Sequence, residues 1–325
     1  MQIELIIPPA FSSGGAADQR TRGLGSTGDA YLADGLPDRL GRHAEVTVTD
    51  LQAVATGAPT EPIPRLEVLN AAIAATVAGA IRSGAAPVVT GGSCVSLPGV
   101  LGGLQQGYGP TARIGLIWFD AHGDFNTPKT SQSQMLGGMP VAVSAGLCYP
   151  TWREAAGLVA PIPTDRIVMV DVRNLDPAER TLIEATDIRI VAVPDRTAET
   201  SPFAAAVADL AATVDHIYLH VDADVLDARY QPNHPTVEPD GPSLEDVNAA
   251  LDAVLATGKV RAFGVVAVNP NGPDGPTSLA SGMAMIESAV ATWGNVEALP
   301  ARQVHPPEPA IAGALPDRPR PIIPA

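Results

Sequence analysis

Two short segments of the chain hold residue types that could do chemistry. Asp120-Ala121-His122-Gly123-Asp124-Phe125-Asn126 follows the apolar run Ile114–Phe119, and Asp222-Ala223-Asp224-Val225-Leu226-Asp227 follows Ile217–Val221. Side chains alternate in an extended backbone, so Asp120, His122 and Asp124 are expected on one face, and Asp222 and Asp224 likewise share a face. A single aspartate after a strand is commonly a turn former or helix cap, but two such clusters in one chain call for a further cause. Carboxylates gathered in a low-dielectric cleft repel one another unless cations compensate them. Two divalent ions would do so, and carboxylates with imidazole suit Mn²⁺ better than a thiolate-rich zinc site would. Such a pair of ions can share a water, lower its pKa and present hydroxide to an electrophilic carbon. Metal-assisted hydrolysis is therefore the expected reaction class.

The elements that must position these residues are legible as alternating apolar patterns. Strands are expected at Ile3–Ile7, Glu45–Thr49, Pro87–Thr90, Ile114–Phe119, Ile167–Val172, Ile188–Val193, Ile217–Val221 and Ala262–Val268, and helices at Leu66–Ser83, Ala178–Ala185, Pro202–Val214, Leu244–Ala256 and Ser278–Thr292. Ser243, ahead of Leu244-Glu245-Asp246, is placed to cap its helix. The pattern predicts an α/β fold with a mostly parallel, doubly wound sheet, whose ligands bind beyond the carboxyl ends of the strands. Residues 1–300 show no repeat and no shift of composition, and read as one α/β domain. Residues 301–325 hold His305-Pro306-Pro307-Glu308-Pro309 and then Pro316, Pro319, Pro321 and Pro324, and read as a proline-rich tail.

Composition narrows the partners. A net charge of -15 disfavours nucleic acid and anionic membrane surfaces. No apolar run approaches the roughly 20 residues of a membrane span, and the segment Met1–Ile7 lacks the basic region of a secretory signal. With only Cys94 and Cys148 there is no disulfide framework, so a cytoplasmic protein acting on a small molecule is expected. Hydrophobic residues make up 46% of the chain but aromatics only 4%, so the core is expected to be aliphatic.

The D-A-H-x-D-x-N motif beginning at Asp120, the D-x-D-x-x-D motif beginning at Asp222 and the pair Gly91-Gly92 resemble the arginase/agmatinase (ureohydrolase) family. The resemblance spans about residues 3 to 295. It implies a three-layer α/β/α fold, a dimanganese site and a homo-oligomer. Asp120 and Asp222 would bridge the ions, Asp124 would bind one, and His122 and Asp224 the other. Arginine-specific members hold the α-carboxylate with an Asn and a Ser, and the α-amine with an Asp of a D-P-x-E segment. Here these positions are Asn126, Ser133 and Asp176, the last in Asp176-Pro177-Ala178-Glu179, which is also a well-formed helix start.

Three positions depart from the family pattern. Gly91-Gly92-Ser93-Cys94-Val95 replaces G-G-D-H-S, which puts Cys94 at a metal-ligating histidine position. Thiolate is softer and more negative than imidazole and would reduce the Lewis acidity or the occupancy of that ion; the alternative is a buried thiol that binds nothing. Gly137 stands where arginases carry a proton-shuttling histidine, a role His234 could take unless it is a solvated loop residue. Ala267 stands where a glutamate pairs with the guanidinium. Removing one partner of a buried ion pair costs about 3–5 kcal/mol, which disfavours a fully charged guanidinium. The Nω-hydroxyarginine hydrolases are similar in carrying a cysteine at a metal-ligand position. The leading expectation is thus an amidinohydrolase for a weakly basic, guanidine-like α-amino acid. The alternatives are an ordinary arginase or agmatinase that uses Glu238 or His234 in place of the missing groups, and a catalytically weakened homologue that binds a ligand or partner.

Overall fold

The computed structural model describes residues 1–11, 24, 26–194 and 201–296. Eight strands form one sheet: β1 (Gln2–Ile7), β2 (Glu45–Asp50), β3 (Ala86–Thr90), β4 (Ile114–Phe119), β5 (Ile167–Val170), β6 (Arg189–Val191), β7 (His216–Asp222) and β8 (Val260–Val266). Their order is β2-β1-β3-β8-β7-β4-β5-β6, and every pairing is parallel. Each expected strand is present, with ends that agree to within two residues. Chain order and spatial order part company where β7 and β8 insert between β3 and β4, and there a doubly wound sheet opens a crevice for ligands.

Alternation along the strands builds two cores, one on each face. Leu5, Val88, Ile117, Val168, Leu219 and Phe263 pack on one side, while Ile6, Val89, Leu116, Trp118, Met169 and Tyr218 pack on the other. The first core is covered by α1 (Thr27–Ala33), α2 (Leu36–Leu40), α8 (Pro202–Thr213), α9 (Leu244–Leu255) and α10 (Gly275–Asn295); the second by α3 (Pro62–Ser83), α4 (Leu97–Tyr108), α5 (Pro140–Ser144) and α7 (Pro177–Glu184), with α6 (Pro150–Ala155) contributing Trp152 to a smaller cluster beside it. The result is the three-layer α/β/α arrangement, with a central sheet buried on both faces.

Sequence patterning missed α1, α2, α4, α5 and α6. In α4 the cause is glycine: Gly99, Gly102, Gly103 and Gly107 lower helix propensity. They are there because α3 lies so close. A Cβ on Gly103 would fall 2.5 Å from Val77 Cβ, and one on Gly99 would fall 2.9 Å from the Asn70 carbonyl oxygen. The reading that no segment is long and apolar enough for a membrane needs correction for α3, which passes that test by length and composition. Half of its apolar window is nevertheless buried inside the protein, with Leu66, Leu69, Ile73 and Val77 among its buried residues. Ser243 caps α9 as expected, its Oγ accepting from the Asp246 amide at 3.1 Å. Residues 301–325, expected to form a proline-rich tail, lie outside the described residues.

Candidate metal centre

The two aspartate motifs leave the carboxyl ends of adjacent strands, but not in the way strand alternation predicts. β4 stops at Phe119, and Asp224 sits in a 3-10 turn, Ala223–Val225. In both motifs the first aspartate folds back on the chain: Asp120 Oδ1 accepts from the His122 amide at 2.6 Å, and Asp222 Oδ1 accepts from the Asp224 amide at 3.0 Å. Such Asx turns bring residues i and i+2 together by local hydrogen bonding, not by pleating. Asp124 has φ 46°, a left-handed conformation that turns the chain away from the extended path. The motifs are tied to each other where the Ala121 amide donates to Asp224 Oδ1 at 3.2 Å.

Three sets of potential ligand atoms converge: Cys94, Asp120 and Asp222; Asp120, His122 and Asp224; and Asp222, Asp224 and His234, each set lying within 4.8 Å. Asp120 belongs to the first two and Asp222 to the first and third. The Cys94 thiol donates to Asp222 Oδ2 at 2.9 Å, and His122 Nδ1 lies 3.0 Å from Asp224 Oδ2. Asp124 lines the same cavity and is coupled electrostatically to His122 and Asp222, but its carboxylate stands outside these three sets. His234 is buried, which corrects the alternative of a solvated loop residue.

Electrostatics show what the cluster lacks. Burial first, and then Asp224, Asp222 and Asp124, raise the Asp120 pKa well above the usual carboxylate range. Burial raises Asp124 as well, against the lowering effect of His122. The Cys94 thiol is pushed up by burial and by Asp222, Asp124 and Asp120. His122 moves up despite burial, because Asp120 and Asp224 favour its cation. Acidic groups whose charged forms are disfavoured by burial and by one another, beside hard oxygen donors and imidazole, fit divalent cations.

The histidines are fixed by their outer nitrogens. His122 Nε2 contacts Glu238 Oε1 at 3.1 Å, and the same oxygen accepts from Asn174 Nδ2 at 2.7 Å. A hydrogen on Nε2 leaves Nδ1 bare toward Asp120 and Asp224, the form a ligand needs. His234 is held the other way. Its Nδ1 accepts from the Thr236 amide at 3.1 Å, so the hydrogen sits on Nε2, which is buried without a hydrogen-bond partner, 3.4 Å from Asp222 Oδ1. That tautomer suits proton donation into the cavity and disfavours ligation through Nε2. Arg173 secures the loops by donating to the carbonyls of Asp224, Val225 and Pro239.

A cavity of about 430 Å³ opens on the cluster. Asn126 and Asp176 meet on its wall, with Asn126 Nδ2 donating to Asp176 Oδ2 at 3.3 Å, and Ser133 lies exposed on the lining. Asp176 also forms the expected capping box with Glu179 at the start of α7, and Glu179 Oε1 accepts from the Phe125 amide at 2.8 Å. Gly137 lines the cavity with open space where a Cβ would be. Ala267 follows β8 with φ 64°, its amide donating to the Gly92 carbonyl, and it packs in one apolar cluster with Leu24 and Cys94.

Sequence reading did not assign a role to Asn174, Thr236 or His220. Asn174 reaches the site from a loop distant in sequence, and Thr236 lies two residues after His234 in a loop where no spacing signals it. His220 was visible as the alternate residue before Asp222, but two of its partners, Trp118 and Cys94, come from other segments of the chain.

An all-parallel α/β/α sheet with a carboxylate, imidazole and thiol cluster at its carboxyl edge defines a class of metal-dependent hydrolases. The arginase family model matches residues 28–291, and the chain belongs to that family. It is 30% identical to the arginase of Bacillus caldovelox over 238 residues, 73% of this chain and 75% of that one. It is 31% identical to the N(omega)-hydroxy-L-arginine amidinohydrolase of Streptomyces lavendulae over 176 residues, 54% of this chain and 58% of the relative. The solved native structure of the Bacillus caldovelox arginase superposes with a TM-score of 0.78 at 27% identity, covering 89% of this chain and 98% of the other.

Proposed function

We propose that this protein is a two-metal amidinohydrolase that cleaves a C–N bond at the guanidine-like end of an α-amino acid, and that the reacting end is less basic than a guanidinium, as in an N-hydroxyguanidine. The wall beside the cluster carries this reading: Ala267, Leu24 and Cys94 present a methyl group, an isobutyl group and a sulfur there. A cation buried against that surface would lack a charged partner, whereas a neutral group would lose far less on desolvation. The similarity to an enzyme named for hydroxyarginine supports the same choice.

Asp120, His122, Asp124, Asp222, Asp224 and Cys94 would hold two divalent cations, Mn²⁺ by the hardness of most donors. The ions would supply Lewis acidity and an activated water. Asn126, Ser133 and Asp176 would take the α-carboxylate and α-amine, and the Nε2 hydrogen of His234 would serve acid–base work in place of the residue missing at Gly137. The test is a panel of arginine, agmatine, Nω-hydroxyarginine and ureido amino acids with Mn²⁺-loaded protein, assayed for urea and hydroxyurea. Hydroxyguanidine turnover well above that of arginine is expected; preference for arginine, or no turnover at all, would refute the reading.

A further inference from the structure

We propose that His220 is a positioning residue for the metal ligand Cys94, donating its Nε2 hydrogen to the cysteine sulfur. This deepens the two-metal reading and rests on it. His220 is fully buried on β7, where its ring stacks on Trp118 at a centroid distance of 4.0 Å and an interplanar angle of 4°. Its Nδ1 lies 2.9 Å from the Tyr218 hydroxyl and its Nε2 3.5 Å from Cys94 Sγ. The ring is therefore clamped on its face and at both nitrogens, with one nitrogen facing the metal cluster.

Hydrogen-bond accounting selects the tautomer. Tyr218 is fully buried, and among the described residues its hydroxyl has His220 Nδ1 as its hydrogen-bond partner. If Nδ1 carried the hydrogen, the phenolic hydrogen would be left buried without an acceptor, at a cost of about 1–3 kcal/mol. If the phenol donates to Nδ1, Nε2 carries the hydrogen and donates to sulfur, while the thiol hydrogen goes to Asp222 Oδ2. Every hydrogen in the Tyr218–His220–Cys94–Asp222 chain then has an acceptor. Cys94 would hold a bound cation as the thiolate, its proton released to solvent. The His220 N–H would stay on that sulfur. A donor on a metal thiolate withdraws electron density from it, which offsets the loss of Lewis acidity that a thiolate otherwise imposes. Cysteine in place of imidazole and histidine behind it form one device.

The experiment substitutes Co²⁺ into the full-length protein and records the near-ultraviolet sulfur-to-cobalt charge-transfer band, which reports thiolate ligation independently of turnover. The band is expected in the wild type, absent in Cys94→Ser, moved to lower energy in His220→Leu, and restored toward the wild-type position in His220→Gln, whose amide keeps a donor at the ε position. Should His220→Leu fail to fold, the wild type gives a second reading: the metal–sulfur stretch in its resonance Raman spectrum should shift after refolding in D2O. No band in the wild type, an unmoved band in Co²⁺-loaded His220→Leu, or a stretch insensitive to D2O overturns the proposal. The expected bands in a protein that turns over no guanidine-like amino acid would uphold it and remove the proposed substrate instead.

Discussion

The two ends of β7 each carry a buried or half-buried histidine stacked on an aromatic ring, and they serve opposite purposes. At the amino end His216 stacks on Tyr108 at 3.7 Å, beside the Arg113–Asp215 pair, whose closest N···O distance is 2.6 Å. There an opposite charge answers a charge: Arg113 holds the Asp215 pKa down to about 2. At the carboxyl end His220 stacks on Trp118, and the chain runs into Asp222 and Asp224, where burial and then crowded like charges raise Asp120 and Cys94. One end is arranged for the stability of the metal-free chain. The other gives up stability for a site that only cations complete.

The sharpest way to break that comparison is Asp222→Asn. Asp222 raises both Asp120 and Cys94, so the substitution relieves repulsion in the metal-free protein while removing a donor shared by two of the ligand sets. Metal affinity should fall by more than the roughly 10–100-fold typical of a supporting residue, and activity should fall with it. The metal-free thermal midpoint should hold or rise. Calorimetry with and without Mn²⁺ reads both, and a large loss of metal-free stability would show that the carboxyl end is built like the amino end after all.

Much of this contrast was legible in the sequence because it rests on local patterns. Apolar alternation located all the strands, and the two aspartate motifs located the edge where the site lies. The geometry was less legible. Asp120, His122 and Asp224 converge through Asx turns and not through the strand alternation expected of them. Asp124, expected among the ligands, has a left-handed backbone and lines the same cavity, with its carboxylate outside the three tight groups. The supporting roles were less legible: Glu238 was named only as a stand-in for a missing group, and its contacts with His122 and Asn174 bridge segments far apart in the chain, while Thr236 joins its near neighbour His234 to Asp224.

Glu238 gives the next largest effect. It fixes the tautomer of His122 from outside the ligand set, so Glu238→Ala should weaken metal binding roughly 10–100-fold, while Glu238→Gln, which keeps an acceptor oxygen, should lose less. Competitive titration with a metal chelator distinguishes the two variants. Equal affinities for all three proteins would mean that His122 is oriented by Asp120 and Asp224 alone.

The smallest effect belongs to the amino end and is read in pH. Burial and then Arg261 depress the His216 pKa to about 4 in the folded chain, against about 6.5 when unfolded. As pH falls below about 6.5 the unfolded chain takes up the proton first, so the stability tied to neutral His216 is fully present above that value and is lost on the way down to about 4. His220, depressed by burial to about 3, adds a loss of the same sign that continues lower. His216→Phe keeps a ring against Tyr108 and removes only one of these two titrations. Urea midpoints measured from pH 7 to 4 on metal-free protein should therefore fall less steeply for His216→Phe than for the wild type, with the curves separating below about pH 6.5. Parallel curves would mean that His216 titrates alike in both states, and that the amino end of β7 owes its stability to packing and not to a histidine kept neutral.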